Sequence, residues 1–148
     1  MIRYFIIAII LCLASCTQPS RHGETLMQVE SFIHERPDSA LVVLQGIDTT
    51  TLKNKEEKAK HALLLSMALD KNVIDRTDFE VLQPAINYYQ NHGTATDKLR
   101  TLYYEGRIYQ NAGQGDLAMK SFIKAREVEG PITDTLTLGN LLVAQATY

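Results

Sequence analysis

The chain has 148 residues, enough for one compact domain, and its apolar and charged fractions of 45% and 22% are ordinary for a globular protein. A formal net charge of -2 provides no basic field for a phosphate backbone, so we expect no direct nucleic-acid partner. Glycine and proline are sparse, at 8 and 4 residues, and helix-forming residues are common, which favours an all-α fold.

The first residues predict a cleaved export signal. Arg3 precedes an apolar run at residues 4–13, which is too short to cross a bilayer because a spanning helix needs about 20 residues. Ala14, Ser15 and Cys16 follow directly, an order that resembles the signal of bacterial lipoproteins, in which the cysteine is acylated and becomes the new N-terminus. An ordinary secretory signal that happens to contain a cysteine is the alternative.

The lipoprotein resemblance implies a signal peptide at residues 1–15, lipidation at Cys16 and a flexible tether over residues 16–24. Acyl chains strengthen membrane attachment by about 0.8 kcal/mol per buried methylene, so the anchor would be lasting. Thr17 is not the aspartate that resembles an inner-membrane retention signal. We therefore expect the protein to be anchored to the outer membrane of a bacterial cell envelope and to face the periplasm.

Apolar residues at helical spacing predict helical hairpins over the rest of the chain. The predicted hairpins cover residues 25–47, 53–93 and 97–130, and residues 134–148 start a further helix of the domain 25–148. Asp38 or Ser39 is available to cap the second helix, and Thr77 with Glu80 has the pattern of a capping box. Pro84 indicates either a kink or a helix start.

The turns of the third hairpin are better marked. Thr94 with Asp97 predicts a capping box at its first helix, which Gly113 ends. Asp116 is expected to cap the second helix of this hairpin. In the preceding hairpin, the apolar stretch at residues 62–69 is expected to be the best buried part of the domain.

Gly106 lies in the middle of a predicted helix, where glycine costs about 1 kcal/mol relative to alanine. Six residues at matching spacing define an expected contact between this helix and the next: Leu102, Gly106, Tyr109, Ala118, Phe122 and Ala125. We expect the two backbones to approach closely at Gly106 and Ala118, with Tyr109 and Phe122 filling the adjacent volume. Closer packing then offsets the cost of the glycine.

The order of these six residues resembles the tetratricopeptide repeat, a helix–turn–helix unit of about 34 residues. Glu105 departs from the family pattern, which prefers leucine there, and Pro131 stands one residue beyond the expected proline. The resemblance is strong over residues 99–131 and weaker in the flanking hairpins. It implies that the hairpins stack as a short, right-handed TPR-like α-solenoid.

The same resemblance implies a site for a protein or peptide, since tetratricopeptide arrays bind extended peptides or helices on the concave surface made by the first helix of each pair. On the third hairpin this surface is expected to carry Arg100, Tyr103, Arg107 and Asn111, whose donors suit a peptide backbone or a carboxylate. A solvated helix face with Tyr103 packed on its neighbour is the alternative. The apolar C-terminal helix is a second candidate surface, either for further repeats or for self-association.

Catalysis has little support in the sequence. The four histidines are scattered, without a pair at i, i+3 or i+4, and neither a nucleophile elbow nor a glycine-rich phosphate loop occurs. We expect no metal, no cofactor and no enzymatic activity. The favoured function is a lipid-anchored scaffold that binds a protein or peptide. The alternatives are the N-terminal part of a larger sensory or regulatory repeat protein and, less favoured because the chain has no tryptophan, a glycan-uptake lipoprotein.

Overall fold

The computed structural model describes residues 21–147, so the predicted signal peptide, Cys16 and most of the tether lie outside the described residues. Seven α-helices occur in this part of the chain: α1 (Arg21–Phe32), α2 (Pro37–Gln45), α3 (Lys55–Lys71), α4 (Gln83–Tyr89), α5 (Ala95–Asn111), α6 (Gly115–Arg126) and α7 (Thr135–Ala146). A 3₁₀ turn (Thr49–Thr51) lies between α2 and α3. No strand occurs between residues 21 and 147, and the predicted all-α fold class is confirmed.

The helices pack as hairpins that follow one another in chain order. α1 pairs with α2, α3 with α4, and α5 with α6. Each of the first helices α1, α3 and α5 also contacts the first helix that comes next, and each second helix packs against the following first helix. α7 takes the next first-helix position, since it contacts both α5 and α6.

The core runs through all the hairpins and is densest along α3. Residues 62–69 of this helix are buried apart from Leu65, which is partly buried, as the apolar stretch predicts. α3 packs against helices of the hairpin before it and of the hairpin after it. Apolar side chains on several of its sides are therefore buried away from water. The largest fully buried side chains are Phe122, Leu26, Ile33, Leu44, Leu63, Leu64, Met67, Leu82, Leu99 and Leu141.

The capping box at the start of α5 is confirmed. The Thr94 hydroxyl accepts a hydrogen bond from the Asp97 N–H, and the Asp97 carboxylate accepts one from the Thr94 N–H at 3.0 Å. The other predicted capping box, Thr77 with Glu80, is wrong. There the Asp78 carboxylate accepts the hydrogen bond from the Glu80 N–H, and this closes a turn instead of opening a helix.

Prolines start two helices. Pro84 lies in the first turn of α4, so it marks a helix start and not a kink. Pro37 likewise opens α2, and the predicted cap at Asp38 or Ser39 is therefore wrong. Proline has no N–H to satisfy and its fixed φ suits the first helical position, which explains both starts. The predicted cap at Asp116 is also wrong, because α6 begins one residue earlier and has no side-chain cap.

A left-handed residue follows each of the two long first helices. Gly113 after α5 has φ +72°, and Val73 after α3 has φ +59°. The next residue in each case, Gln114 or Ile74, donates its N–H to a carbonyl of the last helical turn. Glycine adopts this conformation freely, whereas a β-branched valine is strained by about 1–2 kcal/mol. Val73 is nevertheless 82% exposed and gains little packing in return.

Candidate functional site

The close contact at Gly106 is made by the ring of Phe122, where we expected the backbones of two helices to approach each other. A Cβ atom on Gly106 would overlap the ring of Phe122, whose Cδ1 would lie 2.5 Å away. Phe122, Ala118 and Ala125 are fully buried between α5 and its neighbours. The absence of a side chain at Gly106 therefore lets an aromatic ring lie directly on the backbone of α5, which is where the cost of the glycine is recovered.

Two tyrosines of α5 have surroundings other than those expected. The ring of Tyr109, which we expected beside Phe122, makes an edge contact with Phe79, with ring centroids 4.9 Å apart. Tyr103, expected on the partner-binding surface, is buried and lies 5.9 Å from the Phe122 ring. Leu102 is partly buried against the core. Spacing along a helix predicts the face on which a residue lies. It does not predict which neighbouring helix a large aromatic ring will contact.

Arg100 is buried and binds groups of its own chain. Its side chain is 7% exposed, with Nε donating to Asp134 Oδ2 at 2.6 Å and Nη1 donating to Glu30 Oε1 at 2.5 Å. Glu30 lies on α1 and Asp134 immediately precedes α7, so one guanidinium connects three helices. Burial alone would lower the pKa of Arg100, but the two carboxylates hold it above its ordinary value.

The ion pairs continue onto α3. Lys60 Nζ lies 3.0 Å from Glu30 Oε2 and 2.9 Å from Asp97 Oδ1. Although burial opposes it, Lys60 and the Thr94 hydrogen bonds lower the pKa of Asp97. We refer to these five groups as the interhelix ion cluster: Glu30, Lys60, Asp97, Arg100 and Asp134. It joins α1, α3, α5 and the start of α7 on the first-helix side of the stack.

Asp134 is the most buried carboxylate of the cluster. It accepts hydrogen bonds from the Thr137 N–H and hydroxyl, and caps α7. Burial would raise its pKa, but the bonds from Thr137 and Arg100 lower the pKa to about 2. His34, which follows α1, lies 3.3 Å from Asp134 Oδ2. Burial lowers the pKa of His34 in spite of this carboxylate, and the positive charge of Arg100 acts in the same direction.

Arg107 and Asn111 are partly exposed, but they too bond within the chain. Arg107 donates to Asp70 Oδ1 at 2.9 Å and to Gln110 Oε1 at 2.6 Å. Asn111 Nδ2 donates to the carbonyl oxygen of Arg76 at 3.2 Å. The hydrogen-bonding groups of this side of α5 are therefore largely used to hold α5 against α3 and the segment that follows α3.

The expectation that Arg100 and Tyr103 are accessible to a partner is wrong. The four predicted residues do share one side of α5, but the side chains of Arg100 and Tyr103 lie under neighbouring helices. The spacing within α5 contains no signal for this, because Glu30 and Asp134 are supplied by distant parts of the chain. Of these four residues, Arg107 and Asn111 keep exposed surface.

The opposite side of α5 carries charges without close partners. A cleft of about 340 Å³ lies between α4, α5 and α6, and Lys98, Leu102, Glu105 and Lys124 are among its lining residues. The side chains of Lys98, Glu105 and Lys124 form no hydrogen bond or ion pair with any residue between 21 and 147. The sequence signal for this cleft is Glu105, which stands where the repeat pattern prefers leucine.

No protein-family model, curated protein or solved structure matches the chain. Between residues 21 and 147, no group of three or more His, Cys, Asp or Glu side chains is placed to hold a metal ion. No helix in the same range combines the length and apolar composition that crossing a bilayer requires.

Proposed function

We propose that this chain is a non-catalytic scaffold of the tetratricopeptide-repeat type that binds a protein or peptide partner. In this proposal its hairpins form a short right-handed α-solenoid, and Cys16 anchors it to the outer membrane of a bacterial cell envelope. The observation that carries the proposal is the packing order, in which each first helix contacts the next first helix. The Gly106–Phe122 contact supports it further, because it lies in the hairpin that best fits the repeat pattern.

The exposed face of α7 supports a helical partner. α7 buries Leu141 against α5 and α6, whereas Leu136, Leu142 and Val143 are 48%, 51% and 68% exposed. The helix contains no charged residue. Gly139 lies on the exposed side, and a Cβ atom there would have no neighbour within 4 Å. A helix of a partner protein, or of a second copy of the chain, can therefore pack closely on this apolar, uncharged face.

Crosslinking of the full-length chain in envelope membranes, followed by affinity capture, tests the proposal. A defined partner should be enriched, and Arg107→Ala should reduce its recovery if the accessible part of the first-helix side binds it. Leu142→Glu should reduce recovery if the α7 face binds it, and sedimentation of the purified chain reports whether that partner is a second copy. Lys120→Ala, which changes an exposed lysine of α6, is the matched control.

Circular dichroism must show that the variants remain folded, so that loss of capture reports loss of contact. Recovery that falls with Arg107→Ala or Leu142→Glu and not with Lys120→Ala supports the scaffold and identifies the surface. Absence of any enriched protein, or equal recovery by all variants, contradicts a partner site on either surface.

A further inference from the structure

The cleft between α4, α5 and α6 lies beside the N-terminal two thirds of α5. Lys98, Leu102 and Glu105 line it from α5. Ile86 of α4 and Val128, which follows α6, contribute apolar lining. Its volume of about 340 Å³ lies within the range of small-molecule sites, about 300–1,000 Å³.

Charges of both signs line this cleft. Lys98 and Glu105 lie seven positions apart on α5, hence about 10 Å along its axis, and Lys124 approaches from α6. Glu105 is half-buried, and burial raises the pKa of its carboxyl although the charge of Lys124 opposes the change. A carboxylate held in such surroundings without a hydrogen-bond donor is costly to the protein, and a ligand donor would remove that cost.

A second cleft of about 620 Å³ shows that the fold itself does not require this carboxylate. It lies beside α3, and Lys58, His61 and Leu65 line it. Counted from the helix starts, Lys58 and Leu65 of α3 correspond to Lys98 and Glu105 of α5. The lysine therefore recurs at the same helical position, whereas leucine stands in place of Glu105.

We propose that the cleft between α4, α5 and α6 binds a short zwitterionic peptide of two or three residues with an aliphatic side chain. Its free ammonium pairs with Glu105, its free carboxylate pairs with Lys98, and its side chain packs on Leu102. A residue of extended chain spans about 3.3–3.6 Å, so three residues match the separation along α5 between Lys98 and Glu105. This site is separate from the surfaces proposed to bind a macromolecular partner.

Isotope-edited NMR titration of the purified chain tests the site with the tripeptide Ala-Leu-Ala bearing free termini. Shifts should concentrate at Ile86, Leu102 and Val128. N-terminal acetylation of the peptide and Glu105→Gln should each weaken binding at least about tenfold, since either removes one ion pair, and a tenfold change corresponds to about 1.4 kcal/mol. C-terminal amidation and Lys98→Met should act in the same way at the other end. Lys58→Met, at the equivalent position of the larger cleft, should leave the affinity unchanged.

The outcomes are separable from those of the capture experiment. Binding that depends on both termini and on Glu105 and Lys98 supports the peptide site even if no macromolecular partner is captured. Absence of shifts in the cleft at millimolar peptide, or equal affinity for peptides with free and blocked termini, overturns it. Glu105→Leu, which introduces the residue found at the equivalent position of the larger cleft, should remain folded and lose binding. This variant controls for a purely structural effect of Glu105→Gln.

Discussion

Two glycines in helix interiors allow a matched test of the Gly106 contact. Replacing glycine by alanine in a helix normally stabilises it by about 1 kcal/mol. At Gly139 a Cβ atom meets nothing within 4 Å, so Gly139→Ala should gain this amount. At Gly106 the Cβ would lie 2.5 Å from Phe122 Cδ1, well inside the normal carbon contact distance of about 3.5–4.0 Å. Overpacking of a core costs about 1–3 kcal/mol, so Gly106→Ala should be neutral to about 2 kcal/mol destabilising.

Thermal unfolding followed by circular dichroism measures the difference between the two variants. For a domain of this size 1 kcal/mol corresponds to roughly 3–5 °C, so Gly139→Ala should melt several degrees above Gly106→Ala. The Phe122→Leu background provides the control, because a smaller side chain leaves room for the new methyl group and should relieve much of the penalty. Equal increases in melting temperature for both alanine variants would refute the assignment of Gly106 to a close contact with Phe122. Gly106→Leu, with a larger side chain, should cost several kcal/mol.

Three further predictions concern other parts of the chain. Val73→Gly should increase the free energy of unfolding by roughly 0.5–1 kcal/mol and so raise the urea midpoint, because relief of left-handed strain exceeds the added entropy of the unfolded glycine. A lower midpoint would contradict the strained conformation. Because the folded pKa of Asp134 is about 2 and its ordinary value is 3.8, its stabilisation is present above pH 3.8 and is lost as the pH falls towards 2. In this pH range the free energy of unfolding should therefore fall by about 2 kcal/mol less in Asp134→Asn than in the unchanged protein. An equal fall in both proteins would contradict the burial of Asp134 in the interhelix ion cluster. Cys16→Ala should release the protein from the membrane fraction, and unchanged membrane association would contradict lipidation.

The sequence predicts local features of this fold, such as helix caps and helix ends. It does not predict the contacts between hairpins. The Thr94–Asp97 capping box and the Gly113 helix end involve neighbouring residues, so their pattern is sufficient to predict them. The spacing within α5 predicts an open surface at Arg100 because the partners of Arg100 are 34 and 70 residues away and carry no local signal. Tyr103 is likewise buried with help from another helix, since its ring lies near that of Phe122 on α6.

The candidate cleft was only partly visible in the sequence. Glu105 stood out as a charged residue in an apolar position of the repeat pattern, but its neighbours Lys98 and Lys124 had no reason to be grouped with it. Lys98 and Glu105 share one side of α5, whereas Lys124 and the residues from α4 belong to other helices. The spacing within α5 therefore carries no signal for the residues that complete the cleft.

The measurement that tests the stacking of first helices most directly is a double-mutant cycle between Glu30 and Arg100. These side chains meet only if α1 lies close enough to α5 for the ion pair of 2.5 Å to form across 70 residues of sequence. Urea unfolding of Glu30→Gln, Arg100→Gln and the double variant should give a coupling free energy of at least about 1 kcal/mol. The same cycle with Arg107→Gln in place of Arg100→Gln should give almost no coupling. A coupling within about 0.3 kcal/mol of zero for Glu30 and Arg100 would contradict the stacked arrangement on which the proposed scaffold depends.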